Sequence, residues 1–309
     1  TCQTKKEYLV IPVQGFDGAT VAVLGCDASV AAALNAGGAT VVDAAAHDLC
    51  KPNGFDGIAR LVVGAGIAHL YPSPDPVVVG AWAAGVPVDN PLGLFFQSFA
   101  TRDWGDFHNL PKVIAVTGPQ GSAATSRLIH HIAVTAGRAS QMGQHAPLAL
   151  EPAHDGEVTV LDLPPAQIEL ARALTPDVAV LTDVAEGEFA AMRRLFAEGG
   201  PDRCVINVDT AEGQFLANQM AEGPKDDRVI QMSSERKLET AAWSVFMRKG
   251  FLSEYRKGRQ VAAFDLQLMV GLVPNVATAA YASGRCLGLS PKVIEAAMRS
   301  FKSNPIMMG

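Results

Sequence analysis

A glycine turn between an apolar strand and a helical segment is the feature that most limits what this chain can fold into. Residues 113–117 form a short apolar run typical of a buried strand, and residues 127–134 continue with helical periodicity. The turn between them runs from Gly118 to Ser126 and contains a second glycine, Gly121. A strand, a glycine turn and a helix N-terminus in this order present backbone N–H groups and the positive end of the helix dipole to an anion. The pattern predicts an α/β domain built around a loop of the phosphate-binding type.

The loop lacks the side chains that such loops usually carry. In phosphate-binding loops of this type a Lys follows the second glycine, and the next Ser or Thr holds magnesium. Here Gly121 is followed by Ser122 and Ala123, and Pro119 removes one backbone N–H from the turn. Two interpretations stay open. One is a degenerate nucleotide-binding loop that contacts phosphate through Gly118, Gly121, Ser122 and Ala123, and the other is a tight turn without a ligand.

Composition and charge exclude several classes of protein. A length of 309 residues suits two domains. The composition, with 49% apolar and 6% aromatic residues, favours α/β layers over a disordered chain. A net charge of −6 argues against a nucleic-acid-binding or anionic-membrane-binding surface. Every apolar stretch ends within about a dozen residues, which is too short to cross a bilayer. The five cysteines are scattered, as expected of reduced thiols. We therefore expect a cytoplasmic protein with no nucleic-acid partner and no membrane insertion.

The order of the predicted elements indicates two α/β domains. Apolar runs predict strands at 20–24, 40–43, 60–63, 86–88, 113–117, 158–162, 178–181 and 204–207. Helical patterns predict helices at 28–35, 76–84, 92–99, 167–173, 189–196, 276–287 and 291–301. Short alternating segments at 229–232, 243–247 and 260–264 predict an antiparallel edge. The polar stretch 101–111 sets the boundary, which gives an N-terminal Rossmann-like parallel-sheet domain at 1–108 and a second domain at 109–309.

Segments spread over most of the chain occur in the order found in one protein family. They are Gly18 to Gly25, Gly64-Ala65-Gly66-Ile67, Val116 to Gly121 (Val-Thr-Gly-Thr-Asn-Gly in the family), Val160 to Glu169 (Val-Leu-Glu-Leu-Ser-Ser-Phe-Gln-Leu-Glu) and Leu174 to Leu181. Through them the chain resembles the Mur ligases of peptidoglycan synthesis, most closely the branch that adds D-glutamate to UDP-N-acetylmuramoyl-L-alanine. The resemblance implies a UDP-binding-type N-terminal domain followed by a P-loop-type, ATPase-like central domain. It also implies a C-terminal ligase domain, which we expect to be absent because the chain ends at Gly309.

The resemblance further implies ATP-binding and magnesium-binding residues, and the chain departs from the family at most of them. Ser122 and Ala123 replace the loop Lys and the hydroxyl that follows it, and Met192 or Arg193 stands where the family has a carbamylated Lys. Asp162, one methylene shorter than the family glutamate, and Glu188 are the only candidates for a metal ligand. Asn275 remains from a His-Asn-x-x-Asn motif that contacts nucleotide. We expect no metal site.

A second glycine turn, in the N-terminal domain, would by the same resemblance face the UDP of the substrate. It comprises Gly25, Cys26, Asp27 and Ser29 and retains one glycine of the usual three. Asp27 at a helix start would repel a pyrophosphate, whereas a bare helix N-terminus attracts one. We therefore expect this turn not to bind a UDP-sugar, with binding kept as the alternative.

These departures together predict a protein without ligase chemistry. Losing one preorganised group that stabilises transition-state charge costs roughly 10²–10³ in rate. We therefore expect no catalytic residues, no cofactor (neither ATP nor magnesium) and a catalytically inactive relative with a binding or regulatory role in peptidoglycan precursor synthesis. Its expected partner is another protein, such as an active cell-wall enzyme. The alternative is an ATP-dependent ligase, or a nucleotide-binding enzyme that a partner completes.

Overall fold

The fold consists of two compact units, each with its own sheet and core. A computed structural model describes residues 10–47, 49–70, 72–143, 154–197, 200–221, 226–238, 241–269 and 271–302. Of these, 10–105, 143 and 166–174 form unit 1, and 106–142, 154–165 and 175–302 form unit 2. Unit 1 thus includes a segment, 166–174, from within the predicted second domain. The division at residue 108 stays a prediction.

Unit 1 is built on a parallel sheet with the strand order β2-β1-β3-β4. Its strands are β1 (Thr20–Leu24), β2 (Thr40–Asp43), β3 (Ile58–Val63) and β4 (Val88–Asp89). Its helices include α1 (Ala28–Ala36), α2 (Pro76–Ala83) and α3 (Pro91–Thr101). Both α2 and α3 begin with proline, which suits a first helical position. The side chain of Asp75 caps α2 by accepting from the Val77 N–H at 2.8 Å, and Asn90 caps α3.

Unit 2 is built on a mixed sheet with the strand order β13-β12-β11-β10-β9-β8-β5-β7-β6. Its strands are β5 (Lys112–Thr117), β6 (Ser140–Gly143), β7 (Val158–Asp162), β8 (Val178–Leu181), β9 (Arg203–Asn207), β10 (Val229–Ser233), β11 (Trp243–Arg248), β12 (Phe251–Arg256) and β13 (Arg259–Asp265). The remaining helices are α4 (Ser122–Thr135), α5 (Pro165–Leu170), α6 (Phe189–Met192), α7 (Ala211–Ala221), α8 (Pro274–Cys286) and α9 (Pro291–Ser300), and α5 belongs to unit 1 from Ala166 onward.

The core of unit 2 lies between the parallel strands and the helices α4, α8 and α9. Strands β5, β7 and β8 are apolar along almost their whole length, as expected of strands that are covered on both faces. Leu128 and Ile132 of α4 and Tyr281 of α8 are fully buried against them. Gly284 allows α8 and α9 to approach closely, since a Cβ there would lie 3.0 Å from the Ile294 Cδ1 atom.

A buried carboxylate joins the antiparallel strands to α8. Glu254 on β12 is fully buried and accepts hydrogen bonds from the Trp243 indole N–H at 3.0 Å and from the Tyr281 hydroxyl at 2.6 Å. The Arg285 Nε donates to the same carboxylate at 3.0 Å. Burial and the adjacent carboxylate raise the pKa of the Tyr281 hydroxyl. This network was not predicted from the sequence.

The predicted fold class is confirmed: an α/β chain with a Rossmann-like parallel sheet, followed by a larger sheet with an antiparallel part. The antiparallel edge, however, begins one strand later than predicted. Strand β10, the predicted segment 229–232, is parallel to both β9 and β11, and the antiparallel pairing starts between β11 and β12 and continues to β13. The two hairpin turns carry Lys-Gly pairs in which both residues have positive φ, at Lys249-Gly250 and Lys257-Gly258.

Other differences concern elements that lack a strong apolar pattern. The prediction omitted β6, α7 and β12, and the predicted helix 189–196 is a single α-helical turn followed by a 3₁₀ segment. Within the described ranges, no helix combines the length and apolar character needed to span a bilayer. Cys26, Cys50, Cys204 and Cys286 are free thiols, whereas Cys2 lies outside the described residues.

Candidate functional site

The predicted loop lies at the carboxyl edge of the unit 2 sheet, between the end of β5 and the start of α4. In open α/β sheets, ligands bind outside the carboxyl ends of the strands. Strand β5 sits between β7 and β8, so the residues that follow those two strands border the loop. The Thr117 hydroxyl donates to the Leu163 carbonyl at 2.8 Å, and the Thr182 N–H donates to the Thr117 carbonyl at 2.9 Å. The loop is therefore fixed from both neighbouring strands.

The loop conformation requires glycine at both predicted positions. Gly118 has φ +144° and Gly121 has φ +79°. The backbone of residues other than glycine rarely adopts such positive φ values. A Cβ at Gly118 would lie 2.2 Å from the Thr182 Oγ1 atom. Gly121 precedes the first turn of α4, and no side chain of the described residues caps this helix start. The first N–H groups of α4, from Ser122 onward, have no intrahelical partner and suit an anion.

Two side-chain amides donate hydrogen bonds to the backbone carbonyl of Thr182, the residue that contacts the loop from the end of β8. Asn207 and Asn275 each donate an Nδ2–H to the Thr182 carbonyl, at 2.8 Å and 3.1 Å. The Asn275 Nδ2 would lie 3.9 Å from a Cβ at Gly121, so the structure brings this predicted residue to the loop. One of its amide hydrogens, however, is used by the protein itself. Sequence reasoning missed Thr182 and Asn207. The available signal was that both are polar residues at or just after the end of an apolar strand.

The two candidate metal ligands differ in their position. Asp162 ends β7 directly opposite Val116 of β5 and is 8% exposed, so its carboxylate belongs to the loop region. Glu188 is partly exposed and precedes α6, and its side chain does not cap that helix. Met192, in α6, is fully buried in the core. The described residues contain no cluster of three or more His, Cys, Asp or Glu side chains. Proteins commonly bind Mg²⁺ through one or two carboxylates plus the phosphates of a ligand, a mode that Asp162 fits.

The predicted turn in unit 1 is close-packed and contains no charged donor. A Cβ at Gly64 would lie 1.8 Å from the Gly25 carbonyl oxygen, so the two backbone segments touch. Burial raises the pKa of the Cys26 thiol to about 11, which keeps it protonated at neutral pH. Asp27 is exposed at the start of α1, and its side chain does not cap the helix. The Ser29 hydroxyl in the first turn is buried and has no hydrogen-bond partner in the part of the chain that the structure describes.

A small cleft of about 30 Å³ lies nearby within unit 1. Its polar lining residues are His69, Asn90 and Gln167, and Gly64 and Ala65 contribute backbone. The Asn90 Nδ2 donates to the Gln167 carbonyl at 2.7 Å, which fixes α5 against the start of α3. This cleft was not predicted from the sequence. Two of the family-like segments, 64–67 and 160–169, supply part of its wall.

The chain is similar to known proteins over most of its length. No protein-family model matches the chain. Over 332 aligned positions the chain is 52% identical to the UDP-N-acetylmuramoylalanine–D-glutamate ligase of Cereibacter sphaeroides (strain KD131), with 96% of this chain and 71% of that protein covered. The enzyme of the same name from Roseobacter denitrificans (strain ATCC 33942 / OCh 114) is 53% identical over 333 positions, with the same coverage. A solved UDP-N-acetylmuramoyl-L-alanyl-D-glutamate–2,6-diaminopimelate ligase shares the fold, with a TM-score of 0.56 at 14% identity, over 94% of this chain and 61% of that one.

Two consequences follow from these similarities. The aligned length exceeds the 309 residues of the chain, so the relatives carry residues inside the matched range that have no counterpart here. The relatives are ligases of the kind for which the resemblance implies ATP and magnesium. The expectation of a protein without a cofactor is therefore wrong.

Proposed function

The chain belongs to the Mur ligases, in the branch of UDP-N-acetylmuramoylalanine–D-glutamate ligases, and from this premise we propose that it acts in joining D-glutamate to UDP-N-acetylmuramoyl-L-alanine with ATP. The observation that carries this proposal is the identity of about 52% over nearly the whole chain, combined with a loop conformation that suits phosphate. ATP, when bound, supplies the free energy for amide-bond formation.

The residues of unit 2 fit the phosphates of a nucleotide. The open N–H groups at the start of α4 would bind phosphate oxygens, and the positive end of the helix dipole would favour their charge. Ser122 would add a neutral donor at the place of the usual Lys. Asp162 would hold magnesium together with the phosphates. The loop therefore retains backbone recognition of phosphate while lacking one cationic side chain.

The residues of unit 1 fit a polar substrate with hydroxyl and amide groups. The cleft is lined by the polar residues His69, Asn90 and Gln167, together with buried Gly64 and exposed Ala65. Asp89, which precedes the lining residue Asn90, is almost fully buried, and burial raises the pKa of its carboxyl group. The Arg60 guanidinium lies 3.0 Å from that carboxylate and stabilises its charged form. We assign this face to the UDP-muramoyl substrate.

Calorimetric titration and a product assay test the proposal. The whole chain would be titrated with ATP–magnesium and, separately, with UDP-N-acetylmuramoyl-L-alanine, and ADP release would be followed after D-glutamate is added. We expect both ligands to bind and D-glutamate to increase ADP release. Asp162→Asn should weaken magnesium-dependent ATP binding by about tenfold or more. The control Asp155→Asn, which changes an exposed aspartate bonded to Asn109, should leave it unchanged. If the chain binds neither ligand, the proposal fails.

A second candidate function is favoured by the loop side chains. Ser122 stands where the loop Lys would neutralise phosphate charge, and Met192 is buried in the core. These residues suit a binding or regulatory protein that associates with an active cell-wall enzyme. The variant Ser122→Lys separates the two functions. In a working ligase it should raise ADP release by roughly 10²-fold, the typical effect of one charge-stabilising group. In a binding protein, ADP release would stay at background while the substrate still binds.

A further inference from the structure

We infer that Thr182 is a positioning residue that sets the direction of the N–H groups in the phosphate loop. The inference concerns the loop assigned to ATP above, and its link to nucleotide binding rests on that proposed function. Thr182 follows β8 and is fully buried. Its hydroxyl donates to the Gln120 carbonyl at 2.9 Å, with the Thr117 carbonyl at 3.2 Å. One side chain thus contacts the residues on both sides of Gly118 and Pro119.

The hydroxyl contact controls one particular peptide group. The Gln120 carbonyl and the Gly121 N–H belong to the same planar trans peptide and point in opposite directions. By holding the carbonyl, Thr182 directs the Gly121 N–H away from itself. Because a glycine follows this peptide, the alternative orientation carries little steric cost. The Thr182 hydroxyl therefore selects between two orientations of a donor in the loop.

Thr182 is itself held in place by its other contacts. Its backbone N–H donates to the Thr117 carbonyl at 2.9 Å, and its carbonyl accepts both amide hydrogen bonds from Asn207 and Asn275. Its Oγ1 atom also occupies the space that a side chain at Gly118 would need. Strand β9 and the start of α8 therefore fix Thr182, and Thr182 in turn fixes the loop.

A pair of variants isolates the hydroxyl group. Thr182→Ser keeps the Oγ atom and Thr182→Ala removes it, and the two differ by one oxygen. The matched control is Thr159→Ala, because Thr159 is a fully buried threonine on β7 whose hydroxyl has no hydrogen-bond partner among the described residues. Both alanine variants remove the same atoms from a buried threonine. Only Thr182→Ala removes a hydrogen bond to the loop.

Two measurements on the whole chain decide the inference. The first is amide hydrogen exchange at Gly121 and Ser122 without nucleotide, and the second is the calorimetric Kd for ATP–magnesium. We expect Thr182→Ala to raise the exchange rate and the Kd by up to about tenfold each, which corresponds to the loss of one hydrogen bond. In Thr182→Ser both quantities should stay within about twofold of their values in the unmodified protein. Thr159→Ala should change neither.

The outcomes separate this inference from the proposed function. Loop exchange in Thr182→Ala equal to that of the unmodified protein, or an equal rise in Thr159→Ala, would overturn the positioning role. Absence of ATP binding in the unmodified protein would instead remove the proposed function, and the exchange measurement would still decide whether Thr182 orients the loop.

Discussion

Gly118→Ala is expected to lower the free energy of unfolding of unit 2 by about 2–6 kcal/mol. The added Cβ would lie 2.2 Å from the Thr182 Oγ1 atom and 2.8 Å from the Asp183 backbone nitrogen. Overpacking of this kind costs about 1–3 kcal/mol. The φ of +144° would place the alanine in a backbone region with a further cost of about 1–3 kcal/mol. The first cost comes from contacts with Thr182 and Asp183 and the second from the alanine's own backbone, and because a shift that relieves one changes the other, their sum of about 6 kcal/mol is an upper limit.

The control is Gly137→Ala, at the other end of the same helix. Gly137 has φ +79° and follows α4, but no atom of the described residues lies within 4 Å of the position that a methyl group there would occupy. We expect a cost of about 1–2 kcal/mol from the left-handed backbone alone. Urea unfolding followed by Trp243 fluorescence reports on unit 2 when Trp82 and Trp104, the other tryptophans, are replaced by phenylalanine. Equal destabilisation by the two variants would refute the steric argument for the loop.

Three further predictions concern ionisable groups. Glu254→Ala removes the partner of the Arg285 guanidinium and should lower the free energy of unfolding by about 3–5 kcal/mol. The control Glu295→Ala breaks a partly exposed i,i+4 pair and should lower it by less than about 1 kcal/mol. The same urea titration measures both. Iodoacetamide at pH 8 should label Cys26 at least about 100-fold more slowly than the exposed Cys50 by mass spectrometry, because its raised pKa lowers the thiolate fraction. The pKa of Cys26 rises from 9.0 to about 11 on folding, so the associated stabilisation should be complete below pH 9 and decline as the pH rises through 11.

Local sequence signals were sufficient for the parallel core of unit 2. Apolar runs predict β7 and β8 at their observed bounds, because every residue of both strands is buried, β8 is wholly apolar and β7 has only Thr159 and Asp162 among its apolar residues. The start of α9 also follows from local chemistry. Ser290 accepts a hydrogen bond from the Val293 N–H, and Pro291 occupies the first helical position. An element can be predicted from the sequence when the hydrogen-bond partners of its backbone lie within a few positions along the chain.

The missed features depend on partners that are distant in sequence. Strand β12 alternates charged and apolar residues weakly, and its pairing with β11 and β13 decides its conformation. Thr182 contacts Gln120, 62 positions earlier, and Asn275, 93 positions later. No local pattern marks such contacts. The glycine spacing predicted the shape of the loop, whereas the residues that fix it became visible only after the strands were placed side by side.

The central position of β5 has a consequence for synthesis on the ribosome. This strand is made early, yet both of its neighbours, β7 and β8, are translated later, up to Leu181. Until they emerge, a nascent chain presents both edges of an almost wholly apolar strand, a condition that favours aggregation. Within unit 2, the strand that leads into the glycine loop is the first to be translated, and both of its edges are paired only after Leu181 has been made. Chaperone dependence should be greatest in the window between these two events.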